Sequence, residues 1–151
     1  MTNKIDLAIK NFKKAVELNP KKIEAHYNLG NSYCQKNMFN MAINHYVTAI
    51  SLDPAHEPAF YNLGYTYYRI GDLPQAIKTY QTCVRLNEDS AEVRFNLASA
   101  LEETGDIEGA YDNFVACFKL DPKNTDCKQK IESLKPEADE IKLRKKKEAK
   151  K

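Results

Sequence analysis

The chain has 151 residues, 42% of them apolar and 29% charged, the balance of one ordinary globular domain. No apolar run approaches the roughly 20 residues of a helical membrane span, and Met1-Thr2-Asn3-Lys4-Ile5-Asp6 lacks the apolar stretch of a secretory signal, which points to a cytoplasmic protein, or a nuclear one given its basic tail. The formal net charge of +2 is an average over a tail at 142–151 with a net +6 and a body of 141 residues with a net −4, so the body does not read as a nucleic-acid surface.

In chain order, residues 1–22 predict a single helix in which Ala8, Phe12, Ala15, Leu18 and Pro20 stand 34 positions before Ala42, Tyr46, Ala49, Leu52 and Pro54. Three units follow at 23–56, 57–90 and 91–124. They carry Tyr27-Asn28-Leu29-Gly30, Tyr61-Asn62-Leu63-Gly64 and Phe95-Asn96-Leu97-Ala98 at the same spacing. Within a unit the apolar residues recur at three and four, as in Leu63, Tyr67 and Ile70, then Ala76, Tyr80 and Cys83. Gly71 interrupts them, so each unit predicts a hairpin of two helices. Gly71 and Gly105 supply left-handed turns, Asn37 takes the same place, and Asp72 with Gln75 forms a capping-box pattern. The small columns Gly30, Gly64, Ala98 and Ala42, Ala76, Ala110 let backbones approach, and Tyr46, Tyr80 and Phe114 fill the space left. Cys83 and Cys117 share the column of Ala49. The spacing of Cys34, Cys83, Cys117 and Cys127 matches neither a C-x-x-C pair nor a secreted framework, and all four are expected reduced. Residues 125–151 predict a capping helix through Cys127, Ile131 and Leu134, ended or kinked by Pro136, and then a basic tail that reads as a solvated end, with an import signal, an anionic-membrane contact or a nucleic-acid contact as the alternatives.

These columns resemble the tetratricopeptide repeat family, whose pattern covers residues 23 to 124. The first-helix aromatic of that family is His26, Phe60 and Arg94 here. The resemblance implies an all-α, right-handed solenoid of three full 34-residue repeats with a half repeat in front and a cap behind. It also implies that the first helices line a concave face for an extended peptide or partner helix. Asn28, Asn62 and Asn96 then form a ladder able to pair with peptide C=O and N–H groups, similar to the asparagine-ladder repeats of O-linked N-acetylglucosamine transferases. On a helical wheel Tyr61, Tyr65 and Tyr68 lie opposite the core stripe, beside Asn62 and Arg69. The expected groove therefore comprises Tyr27, Asn28, Asn31, Tyr61, Asn62, Tyr65, Tyr68, Arg69, Phe95 and Asn96. The carboxylate clamp of chaperone-binding members would need cations at Tyr27, Glu92 and Asn96 beside Asn31 and Asn62. Those cations are absent, which argues against a chaperone C-terminal tail.

Nothing in the pattern reads as catalytic. His26, His45 and His56 have no carboxylate or thiol at a motif spacing and are expected at the surface or in turns. The five glycines do not form a phosphate loop, and no metal or cofactor is expected. The expected role is a protein-interaction adaptor or scaffold. The alternative is a substrate-recognition segment of a larger enzyme such as a glycosyltransferase. The bare half repeat suggests self-association through Phe12.

Overall fold

The computed structural model describes residues 2–149, with side chains from residue 4 onward. Among them the secondary structure is all helical: α1 (Thr2–Leu18), α2 (Ile23–Gln35), α3 (Phe39–Leu52), α4 (Glu57–Arg69), α5 (Leu73–Leu86), α6 (Ala91–Glu103), α7 (Ile107–Leu120) and α8 (Thr125–Glu148). Two compact blocks divide the chain, Met1–Leu86 with α1 to α5 and Asn87–Lys151 with α6 to α8. Each predicted hairpin is present as a packed pair, α2 on α3, α4 on α5 and α6 on α7. In addition α1 packs on α2, α3 on α4 and α8 on α7.

The turns follow from three residues that take positive φ: Asn37 at 56°, Gly71 at 80° and Gly105 at 80°. A left-handed residue lets the chain reverse while the last carbonyls stay bonded. Met38 N–H donates to Tyr33 C=O at 2.9 Å, Asp72 N–H to Tyr67 at 3.0 Å and Asp106 N–H to Leu101 at 2.9 Å. Side chains then start the next helices: Asp72 Oδ1 accepts from Gln75 N–H at 3.2 Å, Asp106 Oδ1 from Gly109 at 3.0 Å and Asn124 Oδ1 from Cys127 at 3.0 Å. A further column, Asn19, Asp53, Asn87 and Asp121, turns the chain after each second helix, its Oδ1 accepting the backbone N–H two residues on at 3.0 to 3.2 Å.

The N-terminal block is built round Leu29, Tyr33, Ala42, Tyr46 and Leu63, with Ile9, Phe12 and Val16 of α1 packed against them. Phe12 is thus directed inward and half-buried, and the outward apolar residues of α1 are Leu7 and Leu18, 57% and 79% exposed. Ile70, expected in the core stripe, is the C-cap of α4 and 43% exposed, because the turn at Gly71 has already carried the chain off the packed face. In the C-terminal block Val93, Leu97, Leu101, Phe114, Leu134 and Ala138 form the buried layer.

At the end of the chain Pro136 does not end the helix, and helical structure runs on into the basic segment. Helix α8 continues through Pro136 to Glu148. Proline removes one bond to the carbonyl four residues back, which belongs to exposed Glu132 and so meets water, while buried Leu134 and Ala138 anchor both sides of the break. The basic segment up to Ala149 is helical as well. Its Lys142 pairs with Asp112 at 2.8 Å, Lys145 with Glu108, and Arg144 with Glu140 at 3.2 Å. Lys150 and Lys151 of the expected tail lie outside the described residues.

Candidate functional site

In the N-terminal block a polar network joins the first helices of adjacent hairpins. Burial holds the Tyr46 hydroxyl well above the usual phenol range, so it stays protonated and donates to Asn31 Oδ1 at 2.8 Å. Asn62 Nδ2 donates to that same Oδ1 at 2.8 Å and to the Tyr27 hydroxyl at 3.2 Å. Two donors converging on one oxygen fix which way both amides face. Asn31 Nδ2 and Asn62 Oδ1 take no part in these bonds: one donor and one acceptor, the complement of a peptide group. Beside them Asn31, Cys34, Gln35, Tyr46, Asn62 and Tyr65 line a hollow of about 270 Å³. Tyr46, Cys34 and Gln35 were not among the expected groove residues. Tyr46 reads as core in sequence, and its ring is 1% exposed while its hydroxyl bonds Asn31.

The aromatics divide into two roles. Tyr27 packs on Tyr46 with ring centroids 6.2 Å apart, Tyr61 on Tyr80 at 6.4 Å and Phe95 on Phe114 edge-on at 5.5 Å. All three are half-buried covers of a buried ring. Tyr65 is 37% exposed. Arg69 lies over its ring at 5.6 Å, donates to its hydroxyl at 2.9 Å and also lies over Phe39 at 5.2 Å. Asn28 and Tyr68 are half-buried on α2 and α4. Phe95 and Asn96 belong to α6 in the C-terminal block. There Phe95, Asp126, Gln129, Lys130 and Ser133 line a hollow of about 390 Å³ between α6 and α8.

Of the histidines, His56 lies in the turn before α4 as expected, whereas His26 is buried and His45 half-buried. His26 is 6% exposed and its Nε2–H donates to Pro20 C=O at 3.0 Å. Its Nδ1 is then the acceptor for His45 Nδ1–H at 3.2 Å. His45 stacks on Tyr33 at 5.5 Å, and burial, then the charges of His26 and Lys13, hold its pKa below the ordinary value. His56 caps α4 by accepting from Ala59 N–H at 3.1 Å. The equivalent pair two repeats further along the family columns is Arg94 with Asn113, Nη1 donating to Oδ1 at 3.4 Å. So the unusual His26, Phe60, Arg94 column is matched by His45, Thr79 and Asn113, 19 residues on, and that is the signal by which the pairing was detectable.

The thiols also differ from expectation, since Cys117 and Cys127 form a disulfide. They sit at the tip of the α7–α8 hairpin with Cα atoms 6.4 Å apart, within bonding reach. Cys83 is buried, and burial together with the Glu57 carboxylate pushes its thiol up to about 12. No group of His, Cys, Asp or Glu among the described residues is arranged to hold a metal ion, and no described helix is long and apolar enough to cross a membrane.

Comparisons with known proteins agree with this architecture. A crystal structure of MamA is 24% identical and superposes with a TM-score of 0.83 over 99% of this chain and 94% of that one. YrrB, a TPR protein with an unusual peptide-binding site, is 27% identical with a TM-score of 0.79, covering 88% of this chain and 69% of that one. The first TPR of Spaghetti (RPAP3), bound to an HSP90 peptide, is 19% identical with a TM-score of 0.72, over 76% and 91%. Among curated proteins no match was found. The TPR repeat model matches residues 2–37, 30–71 and 64–105, and a tetratricopeptide repeat model matches 91–124. With that span, with three left-handed turns in register and with an aromatic of each first helix packed on one of the second, the chain belongs to the tetratricopeptide repeat family.

Proposed function

We propose that the chain is an adaptor or scaffold that binds an extended peptide on its first helices, through Asn28, Asn31, Asn62 and Asn96 with Tyr27, Tyr61, Tyr65, Tyr68, Arg69 and Phe95. Its working organisation is the half repeat 1–22, repeats 23–56, 57–90 and 91–124, and the cap 125–151. The observation that carries this reading is the fixed amide pair: Tyr46 and Asn62 both donate to Asn31 Oδ1, leaving an Asn31 donor beside an Asn62 acceptor at a hollow. Such a pair reads main chain and not side chains, so the groove tolerates many sequences. The peptide-bound or peptide-binding neighbours support an interaction role of this kind.

The test starts from a peptide selected against the wild type from a random phage-displayed library. Its affinity is then measured for the double variant Asn62→Ala with Asn96→Ala. Each hydrogen bond nets about 0.5–1.5 kcal/mol, so the pair should weaken binding by roughly fivefold or more. Unchanged affinity in a variant that melts normally would remove the groove from consideration. The likeness of the Asn28, Asn62, Asn96 column to glycosyltransferase ladders favours a second reading, that the same groove serves a larger enzyme. A peptide that binds equally well but is also glycosylated by the natural full-length product would favour it. Self-association, if present, runs through Leu7 and Leu18 and not Phe12, and Leu7→Asp with Leu18→Asp should then shift sedimentation to the monomer.

A further inference from the structure

The hollow between α6 and α8 has a chemistry of its own, and the inference here rests on the groove reading above. Phe95 forms its apolar wall, held by its edge-on packing against the fully buried Phe114. Two charged side chains line it, and they are not equivalent. Lys130 Nζ donates to both carboxylate oxygens of Glu102, at 2.9 and 2.7 Å, so its charge is cancelled within the block. Asp126 is exposed in the first turn of α8 and forms none of the ion pairs found among the described residues. The hollow therefore carries one uncompensated negative charge beside an aromatic wall, with the amide of Gln129 and the hydroxyl of Ser133 as further polar partners.

The surrounding charge acts in the same direction. Residues 87–149, the described part of the block, hold fifteen acidic side chains against eleven basic ones, a net −4. Of the cations near its end, Lys142 and Lys145 are paired with Asp112 and Glu108 on α7 and Arg144 with Glu140. The potential at α6 and α8 is thus negative, which draws in a cation and repels a carboxylate.

We infer that this hollow is a subsite for an arginine side chain of the bound peptide, with the guanidinium against Phe95 and its N–H groups donating to Asp126. A planar guanidinium satisfies both walls at once, since it stacks on an aromatic face and presents a fork of donors to a carboxylate. An acidic side chain would meet Asp126 at close range with Lys130 already occupied by Glu102, so the subsite selects by sign of charge.

The experiment is a 1H–15N titration of the full chain with acetyl-Ala-Ala-Arg-Ala-Ala-amide and with its Gln and Glu counterparts. The arginine peptide should shift the amides of Phe95, Gln129 and Ser133 and bind about fivefold more tightly than the glutamate peptide, with the preference shrinking as salt is raised. Asp126→Asn should bring the arginine and glutamate peptides to within about twofold of each other, with only a small fall in melting temperature from the lost charge in the first turn of α8. Equal binding of all three peptides at these amides leaves the groove standing and overturns the charge selection. Shifts confined to other residues overturn the subsite. Absence of binding by any peptide at millimolar concentration overturns both the subsite and the groove.

Discussion

Gly64→Ala opposes two effects whose sizes can be compared. In a helix interior the substitution favours the fold by about 0.8–1.0 kcal/mol, because alanine loses less backbone freedom. Against this, the new Cβ would lie 2.7 Å from Cε1, 2.8 Å from Cδ1 and 3.2 Å from Cγ of Tyr80, well inside the about 3.5–4.0 Å of favourable carbon contact. The obstacle is the near edge of a ring that is 1% exposed and backed by Tyr61. It has no free end to swing away, and overpacking of this kind costs about 1–3 kcal/mol, here toward the upper part of the range. The expected balance is a loss of about 1–2 kcal/mol, a fall of roughly 3–6 °C in Tm followed by circular dichroism at 222 nm. Tyr80→Phe should not relieve it, since the hydroxyl is not the clashing atom, whereas Tyr80→Leu should cost less in the Gly64→Ala background than in the wild type. Gly71→Ala separates backbone from packing. That residue has φ +80° and open space around the added carbon, so its loss of about 1 kcal/mol comes from the left-handed conformation alone. A Gly64→Ala protein that melts at or above the wild-type temperature would refute the claim that the ring is clamped.

Three further outcomes follow from the polar and thiol groups. Lowered His45 basicity means that the unfolded chain takes up this proton first as pH falls below 6.5, so the fold should lose stability there and keep it above; His45→Phe, which preserves the stack on Tyr33, should flatten that part of the Tm–pH curve. Asn31→Ala strands two donors, the Tyr46 hydroxyl and Asn62 Nδ2, and should cost about 1–3 kcal/mol in urea denaturation, more than Asn62→Ala; equal losses would contradict the shared acceptor. Reducing Cys117–Cys127 should destabilise by about 2–3 kcal/mol on loop-closure grounds, and under native conditions at pH 8 iodoacetamide should alkylate half-buried Cys34 while Cys83, with its thiol pushed up to about 12, reacts only on unfolding.

Much of the fold was legible because it is periodic. Columns 34 residues apart mark the hairpins, and Asn37, Gly71 and Asp72 mark their turns on local chemistry alone. What escaped is aperiodic. Cys117 sits in a small-residue column and reads as packing, while Cys127 lies past the last repeat, and nothing in a spacing of ten says that a hairpin tip will bring them together. Pro136 reads as a break because local propensity is all that sequence shows, whereas the anchorage of Leu134 and Ala138 on α7 is tertiary. At the candidate site the residue types were legible but their division of labour was not. Asn62 reads as a ladder rung free to meet a ligand, yet its amide nitrogen is engaged with Asn31 and Tyr27, which is information held in side-chain geometry.

The Asn31 oxygen shared by Tyr46 and Asn62 also constrains how such a chain can be rearranged. The positions 34 and 68 residues after Asn31 are Tyr65 and Ser99, so the repeats look interchangeable in their apolar columns but not at this joint. Duplicating 57–90 in place of 23–56 would keep the Tyr33 and Tyr46 rings as Tyr67 and Tyr80, yet it would set a phenol where an amide oxygen had accepted two hydrogen bonds and replace the His26–His45 pair by Phe60 and Thr79. The order of the repeats is therefore written in a few polar atoms, and designs that shuffle them by hydrophobic consensus alone should assemble helices whose seams do not match.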